Sequence, residues 1–71
     1  MQRRSKYEKA NMKVRIAQAE NFVAQWEIAE EVGVSEQTVY RWMRKELPED
    51  EQQLLINAIE KIAQRRMQHA D

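Results

Sequence analysis

A single glycine, Gly33, and a single proline, Pro48, punctuate this chain of 71 residues. These two residue types interrupt regular structure most readily, so a chain with one of each has few places to turn. The abundant Ala, Glu, Gln, Lys and Arg are good helix formers. The expectation is an all-α fold: a compact domain of four helices, or five with a short extra turn, that pivots near these two positions. A chain of this length makes at most one domain. It buries a modest fraction of its surface, so its core must be efficient or shared with a partner.

Apolar residues recur at helical spacing in four segments. The first runs roughly from Lys6 to Glu20, with Tyr7, Ala10, Val14 and Ala17 on one stripe that Met12, Ile16 and Ala19 widen. Ser5 suits its N-cap, and Asn21, which tolerates a left-handed backbone, suits its end. The second spans about Ala24 to Val32, with Ile28, Ala29 and Val32 inward. Gly33 then supplies a positive φ. Ser35 caps a third helix, about Glu36 to Lys45, with Val39, Trp42 and Met43 apolar. The residue before a proline is pushed out of the α region, so this helix ends by Glu46. Pro48 suits the first turn of a fourth helix, and Glu49, Asp50 and Glu51 suit the positive end of its dipole. That helix runs to about Gln68, with Leu55, Ala58, Ile59 and Ile62 as its stripe.

Several classes of chemistry find no support. Without cysteine there is no disulfide and no cysteine-based zinc site,. His69 is a lone histidine, Ser5 and Ser35 are explained as caps, and Glu30 and Glu31 are adjacent and do not converge. No glycine-rich loop cradles a nucleotide. No enzyme activity, cofactor, metal or small-molecule ligand is expected. No apolar run approaches the roughly 20 residues of a membrane span. The basic opening MQRRSKYEK lacks a following apolar stretch, so a cytoplasmic protein is expected,.

The formal net charge is zero, from twelve basic and twelve acidic residues. The charges come in blocks. Arg3, Arg4, Lys6, Lys9, Lys13 and Arg15 crowd the first 19 positions, and acids dominate 20–40 and 46–60. Arg41, Arg44 and Lys45 stand between those acidic blocks. Neutrality argues against nucleic acid, but a bipolar surface can still present a basic face.

Residues 25–45 carry the most information. Two short helices that cross closely need a small residue at the contact, and Ala29 is small. The turn needs a residue that accepts positive φ, and Gly33 follows four residues later. Val34 tucks inward after it, and Val39 and Trp42 face Ile28 and Val32,. This segment resembles the helix-turn-helix of the Cro and phage-repressor (Xre-like) superfamily. Over more of the chain, Tyr7-Glu8-Lys9, Trp26-Glu27-Ile28-Ala29 and Arg44-Lys45-Glu46-Leu47-Pro48-Glu49 resemble small stand-alone proteins of Gram-positive prophages and mobile elements. Those are generally inferred to be transcriptional regulators.

The resemblance implies one DNA-binding domain over 1–71, with its motif at 25–45 and residues 1–5 as a flexible basic arm. Arg3 and Arg4 of that arm suit a minor groove. It implies a recognition helix at 36–45 in the major groove, with Glu36, Gln37, Tyr40 and Arg41 towards base edges. Gln37 matches adenine and Arg41 matches guanine through paired hydrogen bonds. Gln25, Thr38, Arg44 and Lys45 fall to the DNA backbone. The structural positions are Ile28, Ala29, Val32, Gly33, Val34, Val39 and Trp42. A homodimer on double-stranded DNA is implied, with Leu55, Ile59 and Ile62 of the fourth helix either closing the core or joining two copies. Trp26 is expected to pack against the first or fourth helix. Two other readings stay open. One is a protein-interaction module, an antirepressor or inhibitor; the other is a DNA-bending excision factor. Arg41, Arg44 and Lys45 also admit a plain reading as a solvated face, paired locally with Glu36 and Glu46.

Overall fold

The computed structural model describes residues 10–69, as four helices with no strand among them. They are α1 (Met12–Asn21), α2 (Gln25–Val32), α3 (Glu36–Trp42) and α4 (Glu49–His69). The basic arm, the Ser5 cap and Tyr7 lie outside the described residues.

Helix α1 starts at Met12, directly after Asn11, which stands in the left-handed region at φ 60°; residues 6–9 of the expected helix lie outside the described residues. At the other end Asn21 stays helical, its amide donating to the Ala17 carbonyl at 2.9 Å. The left-handed residue is Phe22, at φ 53°. Only Val14 of α1 is fully buried and Ala17 packs against the core. Met12 is half-buried, and Ile16 and Ala19 face solvent. The stripe is narrow because α4 is the sole helix that α1 packs against.

Helix α2 starts at Ala24, which has no side-chain acceptor. The Glu27 carboxylate compensates by accepting the Ala24 N–H at 2.8 Å. Gly33 closes α2 at φ 88°, and the N–H groups of Gly33 and Val34 both reach the Ala29 carbonyl. A Cβ at Gly33 would meet nothing within 4 Å. The requirement for glycine is thus purely a backbone one, worth about 1–2 kcal/mol. Ser35 then caps α3, its Oγ accepting the Thr38 N–H at 3.2 Å.

Helix α3 ends at Trp42, three residues short of the expected Lys45. The side-chain amide of Asn11 takes the carbonyls of Trp42 and Lys45, at 3.2 and 2.8 Å. Those groups then need no helical N–H partner. Arg44 and Lys45 therefore stand on the turn after α3. Pro48 precedes α4 instead of sitting in its first turn, and its carbonyl accepts the Gln52 N–H at 3.0 Å.

The core joins Val14, Val23, Ile28, Ala29, Val39, Met43, Leu55, Ile59 and Ile62, with Val34, Trp42, Leu47 and Ile56 packed against it. Each fully buried aliphatic side chain contributes about 1.5–3 kcal/mol. Leu55, Ile59 and Ile62 close this core. Val32, expected inward, is 41% exposed, because it is the last residue of α2 and Gly33 turns the chain away from it. Trp26, expected to pack, is 52% exposed, although it shares a shallow depression with Ile62 and Arg65 of α4.

Candidate nucleic-acid interface

Helix α3 hangs at the edge of the molecule. It packs against α2 alone among the helices. Val39 is fully buried and Trp42 half-buried, which turns the opposite face of α3 outward. Glu36, Gln37, Tyr40 and Arg41 are all exposed there, and so are Arg44 and Lys45 just beyond. Thr38 is half-buried. Its hydroxyl lies 2.9 Å from Ser35 Oγ in the cap and accepts a long bond from the Arg41 guanidinium at 3.4 Å. That occupies the hydroxyl expected at the DNA backbone and lays Arg41 along the outer face of α3.

A polar lock fixes the end of α3. Asn11 is fully buried. Besides its two donated bonds, its Oδ1 accepts the Leu47 N–H at 2.7 Å, and its own N–H reaches Glu46 Oε1 at 2.9 Å. Gln52, also buried, donates to Glu46 Oε2 at 2.8 Å and to the Leu47 carbonyl at 2.9 Å. Arg15 adds a second tie, donating to the carbonyls of Ala10 and Met43, each at 2.8 Å. The turn at 43–47 is thus held from α1 and α4, and α3 is held with it.

Arg15, Gln25, Tyr40 and Arg44 line a notch of about 230 Å³ where α1, α2 and the end of α3 meet. Gln25 is the first residue of α2. No carboxylate lines the notch.

Charge pairing sets this region apart. Arg66 binds Glu27 and the carbonyls of Asn21 and Phe22. Arg65 binds Glu31 at 2.6 Å, and Lys13 binds Glu49 at 2.7 Å. Two of the three acids of α2, Glu27 and Glu31, are thus matched by the basic end of α4. Glu27 is held below the usual carboxylate range, first by the Ala24 N–H and then by Arg66. Among the described residues, Arg15, Arg41, Arg44 and Lys45 have no carboxylate partner. Among the described residues no ion pair joins Arg41, Arg44 or Lys45 to Glu36 or Glu46. Glu46 is bound to Asn11 and Gln52 instead.

Sequence reasoning missed Asn11, Arg15, Gln52 and Arg66. Their partners lie far along the chain, and polar residues on helices carry no local mark of such distant bonds. Comparison of the chain with protein-family models, with curated proteins and with solved structures finds no match in any of the three.

Proposed function

We propose that this chain is a sequence-specific double-stranded DNA-binding regulator of phage or mobile-element type, with α2 and α3 as a helix-turn-helix. One observation carries the reading. Of the five cations without an ion pair among the described residues, Arg15, Arg41, Arg44 and Lys45 gather around a helix whose outer face is free and Lys61 stands apart on α4, while Arg65, Arg66 and Lys13 are paired elsewhere. Overall neutrality then coexists with a local basic face, which phosphate binding requires.

In this reading α3 enters the major groove. Gln37 and Arg41 read base edges, Arg41 as a bidentate donor to guanine, at about 1–3 kcal/mol of discrimination each. Glu36 accepts from cytosine or sets register by repelling phosphate. The notch takes a backbone phosphate. Gln25, Tyr40 and Arg44 supply donors, and Arg15 supplies charge that sequence reasoning did not foresee. Lys45 adds a further phosphate contact. One seven-residue helix spans few base pairs, so two copies on half-sites about 34 Å apart complete the recognition,.

Binding titrations on a selected duplex test these roles. Arg41→Ala weakens binding and relaxes preference at one base pair. Lys45→Ala weakens all sequences alike and lowers the salt slope by about 1. Unchanged affinity in both variants refutes the placement. A second reading, a module that binds another protein, draws on Phe22, which is 85% exposed on a left-handed backbone. Saturable binding to duplex DNA that survives Phe22→Asn decides against it.

A further inference from the structure

The geometry points to the outer edge of α4 as the face on which two copies of this chain pair, antiparallel, about a two-fold axis. This rests on the two-copy stoichiometry proposed above and names the surface that supplies it. The core stripe of α4 is used within the chain, but a second stripe runs beside it and shares Ala58, which is only 6% exposed at the floor of the edge. Glu51, Leu54, Ala58 and Lys61 are spaced three, four and three residues apart, so they share one edge of the helix,. Leu54 is 66% exposed and stands as a ridge between two depressions. One, of about 250 Å³, is mostly apolar, walled by Val32, Trp42, Leu47 and Leu55 with Glu51 also in its lining. The other, of about 410 Å³, has Ala58 in its lining, between Asn57 and Lys61.

This edge is its own complement when reversed. A two-fold axis at the level of Ile56 sets Leu54 over the partner's Ala58, a large side chain against a small one. It also sets Glu51 against the partner's Lys61, and each contact occurs twice, as a two-fold interface demands. A parallel pair would bring Glu51 onto Glu51 and is disfavoured. Neither Glu51 nor Lys61 has an ion-pair partner among the described residues. The exposed Val32 is accounted for too, since it walls the apolar slot beside Leu54. A contact built on three helical turns is at the small end of stable interfaces, which bury about 800 Å² per partner. The association is therefore expected to be weak, which sets the concentration range of the test.

Sedimentation of the full chain without DNA, from micromolar to hundreds of micromolar, is the test. The wild type shifts from monomer to dimer across that range. Glu51→Lys and Lys61→Glu each weaken association about tenfold, because symmetry counts each change twice. The double variant returns towards wild type, and Leu54→Gln removes the dimer. Circular dichroism melts establish that each variant is folded, and the double variant guards against misreading a folding defect. A wild type that stays monomeric throughout, or a double variant no tighter than the singles, overturns the proposal. Binding of a single half-site duplex by Leu54→Gln is read in parallel. Its retention separates a failure of this surface from a failure of the DNA reading.

Discussion

Asn11 carries more of this structure than any other single polar residue. Its side chain is wholly buried, and three of its bonds reach carbonyl or N–H groups at Trp42, Lys45 and Leu47. Its left-handed backbone is one that asparagine tolerates better than most residues,. Asn11→Ala strands those groups away from water and is expected to cost about 3 kcal/mol. Urea unfolding measures it, and a loss below about 0.5 kcal/mol would mean that the lock is not formed. Residues with local tasks were legible in the sequence. Gly33 takes its positive φ, Ser35 caps α3 and Ala29 is buried. Asn11 was illegible because its partners lie more than 30 residues away.

At the scale of elements, the junction between α2 and α4 is electrostatic at its rim. Glu27 accepts from Ala24 N–H and from Arg66, and Arg66 also holds the carbonyls of the α1–α2 turn. The folded pKa of Glu27 lies below the ordinary 4.5. Its contribution to stability is therefore complete above that ordinary value and is lost as pH falls through the lowered one. The thermal midpoint should decline as pH falls below the ordinary carboxylate range, and Glu27→Gln should flatten part of that decline. An identical decline in the variant would remove Glu27 from the account. The Lys13–Glu49 pair is fully solvated, screened by salt, and contributes little,. The extent of α4 was readable from its stripe and acidic start, and all four stripe residues are buried. The end of α3 was not readable, since bonds from α1 decide it. The neighbouring edge of α4 escaped notice because Leu54 and Ala58 are two apolar residues among many in that helix.

The molecule as a whole has zero net charge, but its charges are unevenly paired. Acids of α2 meet bases of α4, and Lys13 meets Glu49. Arg41, Arg44 and Lys45 are left exposed, at the edge of the fold and on a turn held from two sides, and Arg15 beside them is held by backbone carbonyls. The four-helix class and the position of α3 were legible from Gly33, Ser35 and Pro48. The pairing of charges was not, because it depends on how α4 crosses α2. The central claim is that the outer face of α3 reads DNA sequence, and selection of bound duplexes from a random pool at low salt tests it most directly. The account predicts enrichment of one motif, repeated as two inverted half-sites about one helical turn apart, and loss of preference at one position per half-site with Arg41→Ala. A pool that stays random after repeated rounds, with no binding at micromolar protein, would contradict it.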